Sequence, residues 1–264
     1  FPFGSGFGLE NFLKRVNVEK ILPWVAKSMP LEDLRDALYQ KTLSPTSIPE
    51  SREALDIELA VARVMLREMV RELRLRGTLT ARGYDPILVS GSTLTRAASP
   101  QQTLLTLLDG IQPAGITTLI LDKHSIIQSL GVAGLIQPYL PVQVLESTAF
   151  TSLATVVSLV SESPLGKEIL NARLEYENGK FVEVTVSHGS IIALPLRPGE
   201  SGKLYLEPQH RTRIEASGLV EDFYKVNGGI LGLVIDARGR PLEMPSNDKQ
   251  RDAMVAGWVT ALGG

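Results

Sequence analysis

The sequence predicts an α/β fold that continues into a mainly β part and closes with a C-terminal helix. Before about residue 150, runs with helical period alternate with short apolar runs, which is typical of an α/β layer. After it, short alternating runs are separated by Gly, Pro and Asn turns, as in a small β-barrel or sandwich. With 264 residues, 44% of them hydrophobic, the chain can bury a substantial core. We therefore expect two parts, residues 1–149 and residues 150–264.

The first elements are helical. Residues 9–43 predict two or three short helices, because Pro23, Pro30 and Pro45 interrupt the pattern. A long helix is then predicted over residues 51–76. Its apolar side chains recur every three or four positions and share one face, which we expect to pack on the core: Leu55, Leu59, Ala62, Leu66, Met69 and Leu73.

Strands and helices then alternate in the order β-α-β-α-β. The predicted strands are Ile87–Ser90, Thr117–Leu121 and Val142–Leu145, with helices that start at Ser99-Pro100 and at about Ile126. This order is typical of a parallel sheet with helices as crossovers. We expect the first of these strands to be buried in that sheet.

Alternating runs dominate the second part. Residues 172–176 and 182–186 flank Asn178-Gly179, which predicts a hairpin with a type I′ turn. Four more strands follow, at residues 191–196, 203–207, 211–215 and 230–236, and a last helix is expected over residues 247–262.

Composition excludes several functional classes. A net charge of −2 and a pI near 6.0 give no basic footprint for nucleic acid, and no apolar run approaches the ~18 residues of a membrane span. The absence of cysteine excludes disulfides, Cys-ligated zinc and thiol nucleophiles, and it fits a cytoplasmic protein. The sequence opens at Phe1 without a secretory signal, so we expect part of a longer protein.

Catalytic motifs are scarce. His124, His188 and His210 form no zinc-binding pattern, and the sequence contains neither a Gly-x-Ser-x-Gly elbow nor a phosphate-binding P-loop. Asp122 follows a predicted strand, where α/β sheets hold ligands, but an aspartate there is also a common loop cap. We therefore predict no catalytic residue and no metal ligand.

The candidate binding site is the turn after the first strand, Ser90-Gly91-Ser92-Thr93. Gly91 has no Cβ to hold a ligand away, and Ser92 and Thr93 can cap the next segment. These residues fit two interpretations equally well, a turn that contacts a phosphate or sugar and a tight turn without any ligand.

This turn resembles that of a known superfamily. Leu88-Val89-Ser90-Gly91-Ser92-Thr93 is similar to the adenosine-contacting turn of the actin, sugar-kinase and Hsp70 ATPases. A longer likeness covers residues 85–115 and residues 227–242, which include Asn227-Gly228-Gly229 and Asp236-Ala237-Arg238-Gly239-Arg240-Pro241-Leu242. On these segments the chain resembles the MutL/GlmL family associated with glutamate mutase, and the likeness covers most of the chain.

The resemblance implies a partial actin/Hsp70-like lobe, with Ser90, Gly91, Ser92 and Thr93 as nucleotide-binding residues. It implies an ATP-binding chaperone or reactivating factor for an adenosylcobalamin-dependent mutase. The family's Asp-x-Gly-Ser/Thr phosphate loop and its magnesium-positioning acidic residues have no counterpart here. ATP hydrolysis with Mg²⁺ is therefore expected only of the complete protein.

Two other interpretations stay open. In one, residues 150–264 form an interaction or assembly module without nucleotide binding, which docks to a mutase subunit or self-associates through turn residues such as Leu219, Val220 and Phe223. In the other, the Gly91 turn holds nothing.

Overall fold

A computed structural model describes residues 3–79, 84–145, 147–216 and 219–264. In these residues the α-helices are α1 (Leu9–Leu13), α2 (Leu31–Leu43), α3 (Arg52–Leu75), α4 (Ser92–Thr95), α5 (Pro100–Ile111), α6 (Ile127–Ile136), α7 (Leu140–Leu145) and α8 (Asp248–Ala261), and short 3₁₀ helices lie at Val18–Lys20 and Leu22–Trp24. The strands are β1 (Ile87–Ser90), β2 (Gly115–Asp122), β3 (Thr151–Ser158), β4 (Val160–Ser161), β5 (Glu168–Tyr176), β6 (Phe181–Ser187), β7 (Ile191–Leu194), β8 (Ser201–Pro208), β9 (Thr212–Arg213), β10 (Leu219–Val220), β11 (Phe223–Asn227) and β12 (Leu233–Asp236).

The chain forms two compact units, and neither is continuous in sequence. The first, helical unit contains the described parts of Phe1–Thr80, Arg96–Gln112 and Leu242–Val259, and the second contains those of Ala81–Thr95, Pro113–Pro241 and Thr260–Gly264. The boundary expected near residue 150 does not coincide with this division, since it falls at the start of β3 inside the second unit. The chain is thus a mixed α/β protein with a C-terminal helix, as the sequence predicts.

In the helical unit, the predicted long helix is confirmed as α3. Ser51 caps it, with its Oγ accepting the backbone N–H of Ala54 at 3.1 Å. The prediction that the apolar stripe forms the core-facing side of α3 is wrong. Only Leu59 of that stripe is buried, and its other side chains are half-buried. Burial instead centres on five other apolar side chains of α3: Ile57, Ala60, Val61, Val64 and Met65.

Helix α5 packs against α3 at a position that includes Leu66 of the predicted stripe. A Cβ added at Gly110 of α5 would lie 2.7 Å from the Cβ of Leu66, so the two helices approach closely at this glycine. Beside it, the Nε of Arg63 donates to Oδ2 of Asp109 at 2.9 Å, and both side chains are largely buried. The start of α5 is as predicted, with Pro100 in its first turn and Ser99 as its N-cap.

The first sheet of the second unit is mixed rather than parallel. Its strand order is β1-β2-β3-β12-β7, with β1/β2 and β3/β12 parallel and β2/β3 and β12/β7 antiparallel. The predicted strand Val142–Leu145 is wrong, because these residues lie in α7 and the third strand is β3. A four-residue apolar run does not distinguish strand from helix, and Pro141 fits the first turn of a helix.

The second sheet is antiparallel, in the order β10-β11-β8-β5-β6. The predicted hairpin is confirmed as β5 and β6, but its type I′ turn is wrong, because only Gly179 of Asn178-Gly179 has a positive φ, +78°. The N–H of Gly179 donates to the carbonyl of Tyr176 at 2.9 Å, which fits a type I turn followed by a left-handed glycine.

The two five-stranded sheets of this unit pack face to face as a sandwich, and β4 and β9 form a separate two-stranded sheet. The shared core of the sandwich is formed by buried side chains of both five-stranded sheets, including Val157, Leu170, Leu174, Leu204, Leu233 and Ile235. The sandwich that the sequence predicts for the second part is therefore present, but one of its layers is the sheet that begins with β1 and β2.

Candidate functional site

The predicted binding turn lies where two parallel strands end together. β1 and β2 are paired from Ile87 with Leu119 to Ser90 with Asp122, so their carboxyl ends meet at one edge of the sheet. That edge is a common ligand position in α/β sheets. β1 is the outermost strand and only its Val89 is buried, so the expectation of a buried first strand is wrong.

Gly91 gives the turn its shape. Its φ is +128°, which side chains rarely adopt, and a Cβ placed there would have no heavy atom within 4 Å. The glycine is therefore required by the backbone conformation, and the space beside it is open. Its carbonyl accepts the N–H groups of Leu94 at 3.2 Å and of Thr95 at 3.0 Å, which starts α4 directly after the turn.

The four predicted residues divide into two groups. Ser90, Gly91 and Ser92 are exposed, whereas Thr93 is 7% exposed. Thr93 and the buried Leu94 hold α4 in place. A ligand at this turn would meet the first three residues and the open side of Gly91.

A serine that sequence reasoning missed joins this group. Ser125 lies in the loop after β2, and its Oγ is 3.3 Å from the Oγ of Ser90. Its φ is +54°, a left-handed conformation that is uncommon for serine. The only sequence signal for Ser125 is its place three residues after the carboxyl end of β2, because the contact depends on the pairing of β1 with β2.

Asp122 serves as a loop cap. Its side chain is buried, and its two carboxylate oxygens accept the N–H of His124 at 3.2 Å and the N–H of Ile127 at 2.9 Å. Burial raises the pKa of this carboxyl, but the backbone N–H groups of residues 124–127 outweigh it and hold the pKa below its ordinary value. A negative charge thus occupies the start of α6.

This charge affects which part of a ligand the turn suits. Hydroxyls of Ser90, Ser92 and Ser125 can donate to and accept from a neutral polar group. A phosphate would be repelled by the Asp122 carboxylate, which already uses the N–H groups that a helix N-terminus offers to anions. The geometry therefore suits a sugar or base better than a phosphate.

A second polar cluster, which sequence reasoning also missed, lies in the same sheet at the opposite end of its strands. Asp236 ends β12, is paired with Ser158 of β3, and accepts hydrogen bonds from the buried Arg238 and from Arg240. Ser158 is in turn paired with Gly115 at the start of β2. The cluster and the Gly91 turn therefore lie at opposite ends of β2, so they are separated by the length of this strand.

The three histidines form no common site. His188 holds the carbonyl of Ser163 through Nδ1 at 2.6 Å, while His124 and His210 are exposed. Among the residues that the structure describes, no group of three or more His, Asp or Glu side chains could hold a metal ion. In the same residues, no helix combines the length and the apolar character needed to cross a membrane.

Comparison with protein-family models, with curated proteins and with solved structures finds no match for this chain.

Proposed function

We propose that this chain is part of an ATP-binding chaperone or reactivating factor that serves an adenosylcobalamin-dependent mutase. Ser90, Gly91 and Ser92 contact the nucleoside, and β1 and β2 with their helices belong to a partial actin/Hsp70-like lobe. One observation carries the proposal: two parallel strands end side by side at an exposed glycine turn, with Ser125 hydrogen-bonded to Ser90.

The turn is suited to adenosine rather than to its phosphates. Gly91 leaves open space in which a flat base or a sugar can approach the backbone, and hydroxyls on both loops can bond ribose. Asp122 disfavours phosphate at this point, so phosphate binding and Mg²⁺ belong to the complete protein. Thr93 positions the turn from inside and makes no ligand contact in this proposal.

A ligand series tests this assignment. Adenosine, ADP and ATP, each without Mg²⁺, are titrated into the protein by calorimetry. We expect the three dissociation constants to agree within about fivefold, because the shared nucleoside supplies the contacts. Guanosine and cytidine serve as controls for the base. Failure of all the adenine ligands to bind, or binding of ATP but not adenosine, would contradict the nucleoside contact.

A pair of hydroxyl deletions tests the part played by Ser125. Ser125→Ala and Ser90→Ala each remove one partner of the 3.3 Å contact, and Ser147→Ala, which removes an exposed hydroxyl elsewhere, is the matched control. We expect each of the first two variants to weaken adenosine binding by about 5- to 10-fold, as for the loss of one hydrogen bond. Equal binding by all three variants would remove Ser125 from the site.

The mutase is tested as a partner separately. Purified glutamate mutase is mixed with the protein, and complex formation is followed by sedimentation with and without adenosine. A complex that forms with wild type supports the proposed partner. No complex in either condition would remove the mutase from the proposal and leave the nucleoside site unaffected.

A second candidate function is that of the alternative from the sequence, an interaction or assembly module formed by residues 150–264. The observation in its favour is the outer face of the antiparallel sheet, where Phe181 is 52% exposed and the Arg173 guanidinium lies 4.2 Å from the Phe181 ring centroid and 5.8 Å from that of Tyr205. Aromatic and arginine side chains are enriched at interfaces. Val220 is also exposed, and the side chain of Leu219 lies outside the described residues.

Surface variants test this candidate better than deletion. Removing residues 150–264 would take β3, β7 and β12 out of the first sheet, so loss of binding would report unfolding. Phe181→Ala and Tyr205→Ala leave both sheets intact, with the exposed Leu165→Ala as control. Weaker mutase binding by the first two alone would favour the module, and no change would exclude this face.

A further inference from the structure

The segment from Ile126 to Leu145 contains no charged residue, although much of it is exposed. It forms α6 and α7, joined by residues 137–139. Its exposed large side chains, which we call the α6–α7 patch, are Val132 (64%), Leu135 (85%), Ile136 (85%), Tyr139 (75%), Val142 (53%) and Leu145 (43%). Isolated apolar side chains on a surface are ordinary, but a group of this size marks an interaction site.

Leu130 and the contact between α6 and α7 hold the patch in place. Val132, Leu135 and Ile136 are three or four residues apart and so share one face of α6, while Leu130 is buried and anchors the helix. Helices α6 and α7 approach each other closely, since a Cβ added at Gly134 would lie 2.8 Å from the Cγ of Pro141.

Charge distinguishes this helix from others in the chain. α3 carries charged side chains at its exposed positions, such as Arg71 and Arg74, and these are solvated. α6 carries no charge, and apart from Gln128 and Ser129 its residues are apolar or glycine, so most of its exposed surface is hydrocarbon. An occupant must therefore be apolar and uncharged, because a charged surface would be desolvated here without a partner.

A second copy of this chain meets that requirement. The same patch on two molecules is neutral on both sides, and a two-fold contact needs no other surface. Gly131 lies next to Val132 on α6, and a Cβ added there would have nothing within 4 Å. The space beside Gly131 is therefore open, and side chains of another α6 can pack there.

The area is also sufficient. Six large apolar side chains offer on the order of 100 Å² each, so a symmetric pair would remove on the order of 1,200 Å² from water, at the lower end for specific interfaces. We infer that the protein self-associates as a two-fold dimer through the α6–α7 patch, with α6 packed against α6 of the second copy. This inference is independent of the proposed nucleoside site.

Sedimentation velocity tests the dimer with matched variants. The Leu135→Glu/Ile136→Glu double variant places two charges in the patch. A Leu75→Glu/Leu165→Glu double variant places two charges at other positions that are 76% and 75% exposed. Over about a hundredfold range of concentration, we expect wild type and control to form the same dimer, and the dimer dissociation constant of the patch variant to rise at least 10-fold. All the substituted side chains are exposed, so far-UV circular dichroism should be unchanged.

The Gly131→Leu variant distinguishes specific helix-on-helix packing from nonspecific hydrophobic association. Leucine has a higher helix propensity than glycine and adds apolar surface, but its side chain occupies the space at Gly131 where the second helix packs. We expect Gly131→Leu to weaken the dimer at least fivefold. Unchanged or stronger association would overturn helix-on-helix packing, and this variant keeps the inference testable if the double variant fails to fold.

Two further outcomes would overturn the inference. In the first, the wild-type protein stays monomeric at the highest concentration tested, so the inferred dimer does not form. In the second, wild type that is monomeric but co-sediments with neutral phosphatidylcholine vesicles, while the Leu135→Glu/Ile136→Glu variant does not, would assign the patch to a lipid surface instead.

Discussion

The Oδ2 atom of Asp236 lies 2.6 Å from the Nη2 atom of Arg240, four residues further along the chain, and both side chains are shielded from solvent. The other carboxylate oxygen accepts the backbone N–H and the Nε–H of Arg238, at 3.1 and 2.9 Å. One carboxylate therefore fixes the two arginines that follow β12. It holds the segment after this strand against the end of the sheet.

Asp236→Asn should be strongly destabilising. The substitution leaves two buried guanidiniums beside a neutral amide, and breaking a buried ion pair in this way costs about 3–5 kcal/mol of unfolding free energy. The control is Glu162→Gln, in an exposed pair 3.7 Å from Arg211, which should cost less than about 1 kcal/mol. Urea denaturation with equal m-values measures both. A loss of below about 1 kcal/mol for Asp236→Asn would show that the cluster does not support the fold.

Acid should destabilise the protein through the same group. Burial raises the pKa of Asp236, but the Arg238 and Arg240 guanidiniums outweigh burial and hold it far below the ordinary value of 3.8. A carboxyl whose folded pKa is depressed stabilises the fold above its unfolded pKa, and this contribution is lost as the pH falls. We expect the free energy of unfolding to decrease below about pH 4. The free energy of unfolding should depend less steeply on pH in Asp236→Asn than in wild type. Parallel pH curves for the two proteins would contradict the role of Asp236 in acid destabilisation.

Substitution of two helical glycines by alanine should change the free energy of unfolding in opposite directions. Gly110 lies against Leu66, with too little room for a Cβ, so overpacking should make Gly110→Ala destabilising by about 1–3 kcal/mol. Gly257 in α8 has nothing within 4 Å of an added Cβ, so Gly257→Ala should stabilise by about 0.5–1 kcal/mol. Thermal and urea unfolding of both variants measure the difference. Stabilisation by both substitutions would show that α3 and α5 are less closely packed than described.

Elements that are determined locally follow from the sequence. Ser51, Ser99 and Pro100 mark the starts of α3 and α5, and the periodic apolar residues near the C-terminus predict α8. The hairpin position is predicted by Asn178-Gly179, but its turn type depends on the pairing of β5 with β6.

Pairing over long distances explains what the sequence did not predict. β12 lies between β3 and β7, so residues almost eighty positions apart are neighbours in one sheet, and no local pattern specifies this order. The candidate site also depends on strand pairing that no local pattern specifies. Gly91 was recognised from its own segment, whereas Ser125 enters the site through the parallel pairing of β1 and β2.

An adenosine titration of two glycine variants tests whether the open side of Gly91 receives a nucleoside. Gly91→Val places a branched side chain in that space. Gly199→Val is the matched control, because Gly199 also has a positive φ, +85°, and nothing within 4 Å of an added Cβ.

Both variants force valine into a positive φ, but only Gly91→Val places a side chain beside the proposed ligand. We predict that wild type and Gly199→Val bind adenosine equally and that Gly91→Val binds at least tenfold more weakly, a loss of about 1.4 kcal/mol or more. Equal adenosine binding by Gly91→Val, or no binding by wild type, would contradict the account.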